Sequence, residues 1–347
     1  MGRRQWATGW LAAMAVLSCT GVMAAGAPVS AGQSAGAARP DFHAVLLERA
    51  QKAAATGQPL DLWVAARLAL PLELSAVPSP SALPSQSDAW LDEAIRLGSD
   101  QPLIARAAVA RCLGGGSCDI PAAVQTLQTD ESDEVVAQLL LWRLHTGKGD
   151  ADAAAHAWTR ATQATRYADD VSEGIALLDR ATRGGQWPTS ASNGNQTMEV
   201  DGEAKRVASV FALTAAFGMP GLADAYRECP ADAVAERRQQ CRHLLTVMAD
   251  SGSMFAARLG SSRMRDLSDD AAERRGWDAR SHELLWLSAR SAGLLEAESN
   301  VARTVSRSGY LQWVGEMGEL PAMRRLLADN GIAAQPPAGW KPTWSDN

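Results

Sequence analysis

The 347-residue sequence predicts an all-α protein: an irregular, α-solenoid-like array of antiparallel helical hairpins with local disulfides. Three observations predict it. Apolar residues recur at helical spacing in segments of about 10 to 15 residues. Short turns carrying cap residues, glycine or proline separate those segments. Four cysteines, Cys112, Cys118, Cys229 and Cys241, fall into two sequence-local pairs, and no alternating strand pattern competes with the helical period.

The first 24 residues read as a signal peptide. Met1-Gly2-Arg3-Arg4 is basic, and Trp10 to Leu17 is an apolar core of eight, too short for a spanning helix of about 20 residues. Val22-Met23-Ala24 offers one cleavage site, with Ala25 as the mature start. Val16-Leu17-Ser18-Cys19 resembles a bacterial lipoprotein signal, which implies lipidation of Cys19, although Leu17 is bulkier than that pattern usually carries. The Arg3-Arg4 pair is similar to the start of a twin-arginine signal. Residues 25–40, almost all Ala, Gly, Ser and Pro, form a flexible tether. The expected location is the periplasm, with an outer- or inner-membrane lipoprotein as the alternative.

An N-terminal helical array is expected over 41–182. Asp41 to Ala55 carries Phe42, Val45, Leu46 and Arg49 on one face and stops at Thr56-Gly57-Gln58-Pro59. Leu60 to Ala69 follows, then a Pro/Ser-rich connection from Pro71 to Ser87. Asp88 is placed to cap a helix lined by Trp90, Leu91, Ala94, Ile95 and Leu97. Ser99 or Asp100 is placed to cap the next, with Pro102 in its first turn and Leu103, Ala107, Ala110 and Leu113 on one face. Shorter helices are expected near Ile120 to Leu127 and from Ser132 to His145. After the turn and cap at Thr146 to Asp150 come Ala151 to Ala164, with Ala154, Ala157, Trp158 and Ala161 inside, and Asp170 to Thr182.

The stretch 183–201 is polar and rich in Gly, Ser and Asn, and reads as a linker or a long loop over the helices. Its Asn195-Gln196-Thr197 matches a glycosylation acceptor, a pattern common by chance and at odds with a bacterial-type leader. A C-terminal helical region spans 202–335: Gly202 to Phe217, Leu222 to Glu228, a run through Cys241 to Ala249, short segments near Ser251 to Arg258 and Met264 to Arg274, then Ser281 to Leu295, Val301 to Gly315 and Pro321 to Ala328. Residues 336–347 are a tail whose Trp340 and Trp344 are expected to pack back along the last helices.

With Cys19 cleaved off or lipidated, four cysteines remain for pairing in an oxidising compartment; they allow three pairings, of which the sequence-local one, Cys112 with Cys118 and Cys229 with Cys241, is the simplest. Cys112 and Cys118 flank three glycines that let the chain turn back after a helix. Cys229 and Cys241 demand more, because a continuous helix from Ala231 would carry Cys241 roughly 15 Å along its axis. Their pairing therefore predicts loop or turn over Pro230 to Arg238, with helix from about Gln239. The spacings are not those of a metal site or of a redox-active CxxC. No metal and no cofactor are expected.

The segment Asp150 to Arg180, with Trp158 in its first helix and its small-residue spacing, resembles tetratricopeptide-type helical hairpins over 41–182. The full family signature and a clean 34-residue period are not reproduced. The resemblance implies a helical-hairpin array and no particular activity.

Two of 33 basic residues lie in the leader, which leaves 31 against 39 acidic residues, a formal charge near −8. That balance, with no basic cluster larger than Arg237-Arg238 or Arg274-Arg275, argues against nucleic acid as a partner. No GxSxG, HExxH or phosphate-binding loop is present. His282-Glu283 lacks a second histidine at 286, where Trp286 stands. It reads as a capping-region His beside a solvated Glu. The pairs Asp169-Asp170 and Asp269-Asp270 stand where helix caps belong, although carboxylate pairs also serve glycoside hydrolysis. Trp142, His145, His156 and Trp158 flank one turn and are the candidate binding residues, as indole and imidazole rings for a groove that takes a peptide or glycan. The expected function is non-enzymatic: a periplasmic or lipid-tethered protein acting through contacts with an envelope protein or a secreted toxin, touching membrane only through a lipid anchor. The alternative is a helical hydrolase of peptidoglycan or another glycan.

Overall fold

A computed structural model describes residues 42–74, 85–168, 170–193, 196–199, 201–215, 222–296 and 305–342. The signal peptide, the tether, Cys19, Asp169, Asn195 and Trp344 lie outside the described residues. Fifteen helices and one short hairpin occur among those described. They are α1 Phe42–Ala54, α2 Pro59–Leu74, α3 Gln86–Gly98, α4 Pro102–Leu113, α5 Pro121–Thr129, α6 Val135–Lys148, α7 Ala151–Ala161 and α8 Asp170–Thr182. Next come strands β1 Ser190–Asn193 and β2 Gln196–Glu199. The chain continues as α9 Gly202–Ala215, α10 Leu222–Glu228, α11 Ala235–Ala249, α12 Met254–Leu267, α13 Ala271–Glu296, α14 Arg307–Met317 and α15 Glu319–Asp329.

Local chemistry sets many of these boundaries. Pro59, Pro102 and Pro121 occupy first helical positions, where a missing N–H costs nothing. Asp150 caps α7 by accepting from the Ala153 amide at 3.1 Å, and Gly149 ends α6 in the left-handed conformation, φ 74°. Asp270 accepts from the Glu273 amide at 2.8 Å, a cap as expected. Other caps are not where the sequence places them. Ser85, not Asp88, caps α3, and the Asp88 carboxylate instead meets Arg111 across the α3–α4 pair. Ser99 follows the end of α3, while Gln101 stands at the N-cap position of α4 and its side chain makes no cap bond. The Asp170 carboxylate is drawn away to the buried Arg106.

Several helices are longer than their patterns suggest. α2 carries on through Pro71 to Leu74, although proline lacks the N–H that would bond the Arg67 carbonyl one turn earlier. The two short segments expected near 251–274 are α12 and the start of the 26-residue α13, which also takes in Ser281 to Leu295. The polar stretch 183–201 contains the antiparallel hairpin β1–β2, with Ala191 opposite Met198. Four-residue strands are too short to show an alternation. α4 is buried nearly all round, including Ile104, Ala105, Ala108 and Val109, so one apolar face understated it. Leu97 is exposed rather than lining α3.

Helices adjacent in sequence pack as hairpins, α1 on α2, α6 on α7 and α11 on α12. Contacts between distant elements, α14 on α8 and α10 on α6, are added to these. One core joins α1–α4 and α8 to α9, α14 and α15. A second joins α6 and α7 to α10–α12. The described residues on either side of 183–201 therefore share their cores. α4 is a common wall, giving Leu103 and Ala107 to the first core and Ala105, Ala108 and Val109 to another with α5 and α6. No helix among the described residues is long and apolar enough to cross a membrane.

Both disulfides form, Cys112–Cys118 with Cα atoms 4.8 Å apart and Cys229–Cys241 with 5.5 Å. They accord with an oxidising, extracytoplasmic environment. The second bond does not delay α11 until Gln239. Pro230 to Val234 form a turn, so α11 begins at Ala235, and Cys241, about 9 Å along it, comes within bonding distance of Cys229 just past the end of α10. Cys118 is solvent-exposed on its glycine loop, whereas Cys229 and Cys241 are fully buried. Mild reductant under native conditions should therefore open Cys112–Cys118 first, as alkylation and peptide mass mapping would register. Prior or simultaneous opening of Cys229–Cys241 would contradict the structure.

Candidate functional site

The candidate binding residues converge only in part. Trp142 of α6 and Trp158 of α7 meet edge to face, ring centroids 5.6 Å apart. Trp158 is buried. Its Nε1–H donates to Gln240 Oε1 at 2.9 Å and its ring lies under the Arg237 guanidinium at 4.1 Å, so both its polar and its aromatic surface are taken up by α11. His145 Nδ1 stands 4.0 Å from Asp150 Oδ2 at the α6–α7 turn, and His156 is exposed on α7. The two tryptophans are thus a joint between helical hairpins, with imidazoles at its margin.

That joint holds the first turns of α11, where the helix presents two faces. Arg237, Gln240, Cys241 and Leu244 face α7, α10 and the core, at the 3.6-residue period. The other face, with Ala233 and Ala235, Arg238, Gln239 and Arg242, lines an open cleft of about 490 Å³ closed on its far side by Asp269. Arg238 pairs with Asp269 at 2.8 Å and Arg242 with Glu273. Those pairs leave the charges beside the cleft nearly balanced, and Arg242 helps hold the Glu273 carboxyl below its usual range. At its rim stands Val234, 74 % exposed, an apolar side chain on a turn that the Cys229–Cys241 bond clamps. The sequence signal for this feature is Ala-Val-Ala between Asp232 and Glu236, an apolar triplet where a solvated turn would be polar.

The carboxylates considered for acid–base chemistry are engaged elsewhere. Asp170 Oδ1 accepts from Arg106 Nε at 2.7 Å, with Glu131 on Nη1 and Glu173 3.6 Å from Nη2. Burial opposes the Arg106 charge, but Asp170 and Glu131 outweigh it and raise its pKa. Sequence reasoning missed Arg106, although an arginine alone among Leu103, Ile104, Ala105, Ala107, Ala108 and Val109 is the signature of a buried, paired charge. His282 and Glu283 lie mid-helix in α13, not at a cap. Glu283 is buried between Arg280 and Arg324 at 2.9 and 3.0 Å. Burial pushes its carboxyl up, yet the two guanidiniums outweigh burial and hold it below the usual range. The His282 ring lies 5.0 Å from Trp340, which also meets Trp286 edge to face, so the tail packs back on α13.

No group of three or more His, Cys, Asp or Glu side chains with metal-holding geometry occurs among the described residues. Comparison of the chain with family models, with curated proteins and with solved structures finds no match.

Proposed function

We propose that the protein is exported to the periplasm, free or lipid-tethered through Cys19, and acts without catalysis by binding an envelope protein or a secreted toxin through the α11 shoulder. The observation that carries this reading is Val234, held out to solvent on a cross-linked turn beside the cleft. A rigid turn loses little conformational entropy on docking, and an apolar tip beside guanidiniums and an amide has the mixed character of protein interfaces. Support also comes from Asp170, Asp270 and Glu283. Each already serves an ion pair or a helix cap, which leaves little for the hydrolase alternative.

The test is periplasmic expression in a bacterial host with a photo-crosslinking residue at position 239, on the exposed side of the cleft. A stoichiometric protein adduct is expected, and its yield should fall at least about tenfold with Val234→Asp or Arg238→Glu, a loss of about 1.4 kcal/mol or more. Val234→Asp should leave the thermal midpoint within about 2 °C, since an exposed side chain contributes little to stability. Absence of any adduct, together with turnover of cell-wall fragments, would overturn the reading. Intact mass of the mature chain decides between a start at Ala25 and an acylated Cys19.

A further inference from the structure

Two ion pairs cross the cleft of the α11 shoulder, and they are held with very different firmness. Arg238 and Arg242 lie one helical turn apart on the face of α11 that lines the cleft. Arg242 meets Glu273, whose side chain is 32 % exposed and is also reached by Ser268 and Trp277. Arg238 meets Asp269 at 2.8 Å, but the Asp269 side chain is 89 % exposed, and Arg238 is its one side-chain partner among the described residues.

A carboxylate so open to water is held weakly, because solvent competes for both charges, and exchanging it for another costs a ligand no more than about fivefold in affinity. The Arg238 guanidinium also has a donor to offer. Its Nη1 bonds Asp269, while its Nε is shielded from water and has no acceptor. A shielded donor without an acceptor is unfavourable. Once Asp269 leaves, the guanidinium is free to turn, and a carboxylate laid across its Nε and Nη edge in the two-bond geometry satisfies that donor. Beside Arg238 the cleft is walled by Ala233 and Ala235, with Val234 at the rim, so an exchangeable guanidinium adjoins an apolar surface. α11 also starts at Val234 without a side-chain cap, and the positive end of its dipole adds to the preference for negative charge.

We infer that the shoulder recognises its partner by carboxylate exchange: an acidic side chain flanked by small apolar residues takes the place of Asp269 on Arg238, while its apolar neighbours cover Ala233, Val234 and Ala235. The inference rests on the shoulder being the partner site and adds the class of segment that docks there. A phosphate group fits less well. Its second charge calls for a second guanidinium, and Arg242 is committed to Glu273. Asp269 acquires a role of its own. It occupies Arg238 in the unbound protein, so that an anion binds only if it outcompetes a carboxylate already in place.

NMR titration of the mature, disulfide-bonded chain tests the exchange, read at the Arg238 Nε–H and the Gln239 amide. The probes are the peptide acetyl-Ala-Val-Glu-Val-Ala-amide, its counterpart with Gln in place of Glu, and inorganic phosphate. The Glu peptide should bind at least about tenfold tighter than the Gln peptide or phosphate, the discrimination a charge-assisted pair gives. Asp269→Asn should tighten the Glu peptide about threefold to fivefold and leave the Gln peptide within about twofold, a gain that a purely structural ion pair would not produce. Arg238→Gln should reduce the preference for Glu to under about twofold. Equal or absent binding of the two peptides, no gain with Asp269→Asn, or phosphate binding as tight as the Glu peptide would each overturn the inference. The crosslinking test separates the two readings. An adduct at position 239 whose yield Asp269→Asn leaves unchanged would keep the shoulder as the partner site and remove the exchange. No adduct, with the preference for Glu intact, would instead strike the envelope-protein or toxin reading alone.

Discussion

Arg206→Ala is expected to destabilise the protein by about 3–5 kcal/mol, the cost of leaving a buried charge without its partner. Arg206 is 1 % exposed and ties three helices together. Nη1 donates to Asp179 Oδ1 at 2.7 Å and Thr182 Oγ at 3.1 Å on α8. Nε and Nη2 donate to Glu203 on α9, and Nη2 also reaches Ser308 Oγ at 2.6 Å on α14. Asp179 is itself buried, and without Arg206 it would keep only Arg183. Urea unfolding followed by circular dichroism measures the loss, provided the slope with denaturant is unchanged. The double variant Arg206→Met, Asp179→Leu should recover at least about half of it, because an apolar pair removes the stranded carboxylate. A loss below about 1 kcal/mol for Arg206→Ala would show that the network is not what holds α8, α9 and α14 together.

Gly260→Ala is the second large effect, expected at about 3 kcal/mol. A Cβ at Gly260 would lie 2.5 Å from Leu245 O and 2.6 Å from the Ala249 amide nitrogen, so α12 has to move off α11 to admit one methyl group. Both obstacles are helix backbone, which cannot swing aside as a side-chain tip can, and that places the cost at the upper end of the range for overpacking. Gly276→Ala is the control. No heavy atom lies within 4 Å of its Cβ on α13, and alanine there should stabilise the helix by about 0.5–1 kcal/mol. Thermal unfolding of the pair should thus shift in opposite directions. A neutral Gly260→Ala would mean that the α11–α12 approach is looser than the structure has it.

Much of the helical order was legible because helices announce themselves locally. The apolar period of α7, with Ala154, Ala157, Trp158 and Ala161, matches its buried face. Asp150, Gly149 and Pro102 act through atoms within one turn of their own positions. The candidate site was less legible. Trp142 and Trp158 were found as a pair, but what covers Trp158 is Gln240 and Arg237, some 80 residues on. The cleft beside α11 drew no notice because its residues, Arg238, Gln239 and Arg242, are ordinary for an exposed helix until Asp269 is brought opposite. Asp88 and Asp170 went astray for one reason: a carboxylate in capping range of a helix was also within reach of an arginine on another element, and a charge-assisted bond outweighs a cap.

By itself, then, the sequence determined the all-α class and most of the helix starts and stops, and made the sequence-local disulfides the simplest of three possible pairings. Each rests on interactions between residues close along the chain, which the order of residues states directly. Only the tertiary structure decided that α14 closes on α8, that Arg106 and Arg206 are buried with their carboxylates, and that Val234 stands exposed beside a cleft. Those features depend on which surfaces meet across 60 or more residues. Such meetings are set by the summed burial of many weak contacts, to which no single residue pattern points.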